Sequence, residues 1–125
     1  MSSVKRFSGY VEKKWGYEYI FATNDLYCGK LLHFTKAENK FSMHFHREKD
    51  ETWYVQKGGF TLRLIDTSNG NIKEKTLKLG DSIRIKPLTV HQLIALEDNS
   101  EIIEVSTADS IEDNYRVMPG DSQSG

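Results

Sequence analysis

The segment Phe41-Ser42-Met43-His44-Phe45-His46 carries two imidazoles two residues apart. In an extended strand such residues share a face, about 7 Å apart along the chain, so His44 and His46 can converge on one ion. Arg47-Glu48-Lys49-Asp50 is polar enough for a tight connection, and Glu51-Thr52-Trp53-Tyr54-Val55 reads as a returning strand. Glu51, Trp53 and Val55 share one face of it, which brings a carboxylate back beside the two histidines. Farther along, His91-Gln92-Leu93-Ile94-Ala95 places His91 in phase with Leu93 and Ala95, so its ring is expected to point inward. Three imidazoles and a carboxylate suit one divalent transition metal (Mn, Fe, Co, Ni, Cu or Zn) and leave coordination positions open for a substrate. A lone strand histidine is usually an ordinary surface or core residue. The carboxylate and the distant third imidazole lift this set above that reading.

The elements that must position these groups are strands. No window shows sustained helical spacing of apolar residues behind a cap. Short runs rich in β-branched and aromatic residues span 17–22, 30–35, 41–46, 52–56, 60–66, 72–79, 82–85, 91–96 and 101–107. Turn signals separate them, among them Thr23-Asn24-Asp25, Lys57-Gly58-Gly59, Ser68-Asn69-Gly70-Asn71, Leu79-Gly80-Asp81 and Glu97-Asp98-Asn99. Asn69-Gly70 is the strongest hairpin signal of the set. The pattern is that of an all-β sandwich or barrel. Trp53 reads as core beside the site, Trp15 as an anchor for the N-terminal segment, and Gly58-Gly59 as a turn.

The chain has 125 residues, the size of one domain, with a barrel core over about 15–107, an N-terminal segment 1–14 and a C-terminal tail 108–125. Seventeen basic residues face 18 acidic ones, interspersed, which argues against nucleic acid as a partner. Cys28 is the single cysteine, so no internal disulfide can form; it reads as a small packed residue in a reducing, cytoplasmic setting. The opening Met1-Ser2-Ser3-Val4-Lys5-Arg6 leads into no apolar run, so no signal peptide is expected, and no stretch has the length of a membrane span. A homodimer is expected, since a barrel this small covers strand edges by pairing.

His44-Phe45-His46-Arg47-Glu48-Lys49-Asp50-Glu51, followed six residues later by Gly58, resembles the first motif of the cupin superfamily, H-x-H-x(3,4)-E-x(6)-G. The stretch from Gly80 to His91 resembles the second, G-x(5)-P-x-G-x(2)-H. Lys86 stands at its proline position with Pro87 next, and Leu88 replaces its second glycine. The resemblance implies a small antiparallel β-barrel, a double-stranded β-helix or jelly roll, with His44, His46, Glu51 and His91 as metal ligands.

Three further landmarks are similar to the cupin domain of type II phosphomannose isomerases. They are Lys13-Lys14-Trp15-Gly16-Tyr17-Glu18, then His46-Arg47 with Glu51-Thr52-Trp53-Tyr54-Val55-Gln56-Lys57-Gly58, and Ile103-Glu104-Val105-Ser106-Thr107 ahead of Glu112-Asp113-Asn114-Tyr115-Arg116. Lys14 replaces the family's entry proline, Ser42 its glutamine, and the loop from His46 to Glu51 is longer. This likeness implies aldose–ketose exchange in a phosphorylated sugar such as mannose 6-phosphate. His33 is then the leading candidate for the base, followed by Tyr54 and Lys30; Arg47, Arg84 and Lys86, with Lys49, are candidates for the phosphate. Two other readings stay open: a metal-dependent dioxygenase, favoured by an apolar cavity, and a non-catalytic sugar- or metal-binding module.

Overall fold

Period-two alternation governs the chain. In the strand Glu51–Lys57, Glu51, Trp53 and Val55 are buried while Tyr54 and Gln56 face solvent. The computed structural model describes residues 9–123. The strands are β1 (Tyr10–Lys13), β2 (Gly16–Thr23), β3 (Tyr27–Phe34), β4 (Met43–Phe45), β5 (Glu51–Lys57), β6 (Phe60–Ile65), β7 (Ile72–Leu77), β8 (Ser82–Ile85), β9 (Val90–Ala95), β10 (Ser100–Thr107) and β11 (Tyr115–Met118). One antiparallel sheet has the order β1-β2-β3-β10-β5-β8 and the other β11-β4-β9-β6-β7. The result is the jelly-roll barrel expected from the sequence. The signal-peptide reading of residues 1–6 and the end of the tail at 124–125 lie outside the described residues.

Side chains from both sheets meet between them: Phe34, Trp53, Val55 and Ile102 from the larger, Phe60, Leu62 and Leu93 from the smaller. Each such side chain contributes about 1.5–3 kcal/mol through burial. The inner face of the larger sheet changes character along its length. Phe34, Ile102 and Val55 fill one end, whereas Lys30, Glu104 and Glu51 occupy the other, with Lys30 and Glu104 directly paired across strands. The barrel is therefore dry at one end and charged at the other.

Local chemistry closes the turns. The Asn24 side chain accepts from the backbone N–H of Leu26 and Tyr27, at 2.8 and 3.0 Å, between β2 and β3. Gly70, at φ 75°, completes the β6–β7 hairpin as Asn69-Gly70 foretold. On the exposed edge, Lys73, Glu74 and Lys75 of β7 discourage pairing with other chains.

One expectation needs correction, and two segments gain detail. The strand expected over 41–46 is short, Met43–Phe45, because it joins β9 through the single His44–His91 pair and then turns away. The tail is laid against the barrel where it is described: β11 pairs with β4, Tyr115 opposite Phe45 and Arg116 opposite His44. That strand pairs with only three residues of β4, so no long alternating run announces it. At the other end, Tyr10–Lys13 is a strand on the edge of the larger sheet, and Trp15 stacks on Phe34 with ring centres 4.6 Å apart.

Two turn positions show how the motif residues act. Gly58 sits at φ 65° in the β5–β6 turn, and a Cβ there would run into the Ser100 side chain. Leu88, which replaces the motif glycine, holds φ 69° with its N–H bonded to His46 O at 2.7 Å. The backbone conformation that the glycine serves is thus retained with a leucine in it, at a cost of about 1 kcal/mol. Gly58→Ala is expected to lower unfolding stability by about 1–3 kcal/mol, measured by urea denaturation; an unchanged midpoint would show that neither the φ nor the close approach matters.

Candidate metal centre

β4, the turn after it and β9 present His44, His46 and His91 to one point. A ring nitrogen from each lies within 4.8 Å of those of the other two, and the three residues are buried. Cross-strand pairing of His44 with His91 sets two of them face to face. Glu51, the first residue of β5, completes the group, with Oε2 3.5 Å from His46 Nε2 and Oε1 4.0 Å from His91 Nε2.

Main-chain carbonyls fix the rings. His44 Nδ1 donates to Ser42 O at 2.7 Å, His46 Nδ1 to Asp113 O at 2.5 Å, and His91 Nδ1 to Thr89 O at 2.8 Å. With every Nδ1 acting as donor, the proton-free Nε2 of each ring faces the shared point. Asp113 also holds the connection in place: its carboxylate accepts the N–H groups of Arg47, Glu48 and Lys49 at 2.6, 3.1 and 3.0 Å.

The donor set fits a divalent metal. His91 Nε2 and Glu51 Oε2 are buried polar atoms without a hydrogen-bond partner, an arrangement that costs free energy unless something sits between them. Burial pushes the His44 pKa well down, aided by His91 and His46, and takes His91 to about 4. His46 is also lowered by burial. The three imidazoles are therefore neutral, as ligands must be. Glu51 is pushed up to about 8 by burial and by Glu104, against the pull of Lys49. A cation at the centre would relieve that cost.

The cluster lies at the wall of a cavity of about 490 Å³. Its lining mixes the apolar Trp15, Leu32, Phe41 and Trp53 with the charged Glu18, Lys30, Lys49, Glu104, Asp109 and Arg116. Lys30 Nζ pairs with Glu18 at 2.8 Å and Asp109 at 2.9 Å; Lys49 Nζ pairs with Glu104 at 2.9 Å, Asp109 at 3.2 Å and Glu51 at 3.6 Å. Burial alone would discharge both lysines, but the carboxylates around them outweigh it and raise both pKa values. Burial acts the other way on Glu104 and Asp109, yet the two ammonium groups hold both below their ordinary range, Asp109 at about 2.

The other expected site residues fall elsewhere. His33 is on the outer face of β3, where it bonds Glu101 at 2.7 Å and stacks on Tyr17. Tyr54 is on the outer face of β5 and half exposed. Both are one residue out of phase with the cavity, which excludes them from it. Arg84 is exposed and clasps Asp50 with two nitrogens, at 3.0 and 2.5 Å. Lys86 is exposed, and Arg47 lines a separate outer depression with Glu48 and Glu112. Conversely Lys49, read as a loop cation, and Lys30, read as a base, are buried ammonium groups on the cavity wall. Glu104 was legible, since it alternates in phase with Ile102 and Ser106. Nothing in the sequence signals Asp109 or the Asp113 carbonyl, which reach the site from an irregular segment.

No helix among the described residues is long and apolar enough to cross a membrane. No curated protein matches the chain. Among solved structures the chain resembles KdgF from Halomonas sp. at 23% identity and TM-score 0.65, over 77% of this chain and 81% of that one. It resembles oxalate decarboxylase from Bacillus subtilis at 18% identity and TM-score 0.76, and the capsular polysaccharide assembling protein CapF from Staphylococcus aureus at 16% and 0.77. It covers 94% and 91% of itself in those two matches but only 33% of either neighbour, so it spans about a third of their length. These likenesses show the fold. The model of the cupin domain matches residues 30–105, more than half of the chain, which therefore belongs to the cupin family.

Proposed function

We propose that the chain is a metal-dependent enzyme acting on a small, oxygen-rich molecule, with aldose–ketose isomerisation of a sugar phosphate of the mannose 6-phosphate type as its reaction. The observation that carries this reading is the cavity: His44, His46 and Glu51, backed by His91, line it together with Lys30 and Lys49. A polyhydroxylated substrate needs many donors and acceptors, and this wall supplies them; oxygen chemistry on an apolar substrate does not. His44, His46, His91 and Glu51 would hold one divalent metal. When bound, that metal supplies Lewis acidity towards a carbonyl and its neighbouring hydroxyl.

The chain's own groups do the rest. Lys49, kept protonated by the carboxylates around it and 3.6 Å from Glu51 Oε2, stands where it stabilises negative charge developing on a substrate oxygen. The carbon-bound proton passes to a carboxylate of the cavity wall and returns to the neighbouring carbon, with no part for His33 or Tyr54, whose side chains face away. Trp15, Phe41 and Trp53 keep water from one side of the cavity. A homodimer in the cytoplasm belongs to the same proposal. Tyr19, Phe21, Tyr54 and Val105, exposed on the outer face of the larger sheet, support burial of that face against a second copy.

Purified chain is expected to carry about one divalent ion and to convert mannose 6-phosphate to fructose 6-phosphate. His44→Ala or Glu51→Ala should abolish turnover and weaken metal binding by more than the roughly 10–100-fold typical of losing a supporting residue, with the barrel still folded. Equal metal content in variant and parent would remove these residues as ligands; metal without turnover would leave the cupin and end the isomerase.

The pKa shifts also set a pH dependence for the metal-free chain. Below about 6.5 the unfolded histidines take up protons that the folded ones refuse, so stability falls as pH drops towards 4. Glu51 acts oppositely: its folded pKa of about 8 exceeds the unfolded value, so its contribution fades as pH rises from about 4.5 to 8. Three groups against one make the histidines dominate below about 6.5 and Glu51 above it. Thermal unfolding of chelated protein should therefore peak near pH 6.5, and a curve flat from pH 4 to 8 would contradict the burial of these groups in neutral form.

A further inference from the structure

The charged wall of the cavity contains one member unlike the rest. Glu18 and Glu104 are strand residues, fixed by the ladders of β2 and β10, and Lys30 is held the same way in β3. Asp109 is not. It belongs to the stretch between β10 and β11, where Ser110 beside it is exposed and Ile111 is 96% exposed at the cavity rim. Yet Asp109 reaches both lysines. Its Oδ2 lies 2.9 Å from Lys30 Nζ and its Oδ1 3.2 Å from Lys49 Nζ, so one carboxylate spans two buried ammonium groups, one oxygen on each.

We propose that the Lys30–Lys49 pair is a seat for the oxyanion of the substrate, and that Asp109 fills this seat in the free protein and leaves it when the substrate arrives. This inference rests on the reading of the cavity as a substrate site. Two ammonium groups one carboxylate apart match the two oxygens of a carboxylate or phosphate. Stripping either lysine of an anion inside the cavity would be costly, but exchange of one anion for another keeps the local charge pairing. Glu18 at 2.8 Å from Lys30 and Glu104 at 2.9 Å from Lys49 stay in place throughout and hold the seat open at a fixed width.

The seat also limits the substrate. Glu51 Oε2 stands 3.6 Å from Lys49 Nζ and 3.5 Å from His46 Nε2, so the oxyanion adjoins the metal centre. That favours a molecule whose carboxylate or phosphate can fold back beside the oxygens that meet the metal, such as an acid sugar, a hydroxy acid or a sugar phosphate. Asp109, tethered at both ends by β10 and β11, competes with any such group, so the free protein binds simple anions weakly.

The test compares the full chain with Asp109→Asn, titrating acetate and inorganic phosphate at constant ionic strength and following the Lys30 and Lys49 ammonium signals by NMR. Removing the competing carboxylate should lower Kd about tenfold or more, as expected when a blocked state held most of the population. The signals of both lysines should move in the titration. Acetate gaining more than phosphate identifies a carboxylate seat, and the reverse a phosphate seat. Equal Kd in the two proteins for both probes overturns the proposal, as does a gain in Asp109→Asn that survives Lys30→Gln in the same chain. The titration needs neither metal nor turnover, so a failed seat leaves the metal ligands untouched, and a chain without isomerase activity leaves the seat standing.

Discussion

Everything at the working end of this barrel follows from three imidazoles buried in their neutral form around one point. Each ring gives its Nδ1 proton to a main-chain carbonyl, of Ser42, Asp113 or Thr89, and so must present a bare Nε2 inward. Those carbonyls belong to the backbone around β4, β9 and the segment after β10, so the geometry of the centre is the geometry of the fold. Cross-strand pairing of His44 with His91 and the return of Glu51 on β5 are the remaining requirements.

The same end of the barrel carries an ionic network around the buried Lys30, Lys49 and Glu104. Ion pairs taken out of water are rarely a source of stability, because desolvation offsets their attraction. Here Glu18, Lys30 and Glu104 occupy inward-facing strand positions of the kind that apolar residues fill at the other end of the sheet, and Lys49 and Asp109 join them from the connections before β5 and after β10. A stability argument does not explain that placement; a polar ligand does. The apolar core of Phe34, Trp53, Phe60 and Ile102 carries the fold without the charged end.

Much of this was legible in the sequence, and the reasons differ by element. Strict alternation gives the inward set of β5, and the His44-Phe45-His46 spacing puts two of the three clustered imidazoles on one face. Register is what the sequence concealed. His33 and Leu31 share a face, but only the pairing of β3 with β10 shows that this face is the outer one. Read without it, a strand histidine near a barrel mouth looks like a base. Lys49 sits in a polar run that reads as solvated, yet Asp113 folds the run inward by binding three successive N–H groups. The strand within the tail went unread because a four-residue strand with three pairing positions carries too little pattern to announce itself.

The most direct check on the account is anomalous diffraction from crystals of the chain grown with Mn or Zn. One strong peak bounded by Nε2 of His44, His46 and His91 and an oxygen of Glu51 is the expected result. A chain that takes up no metal at saturating concentration, or that places it away from these four side chains, would contradict the account at its centre.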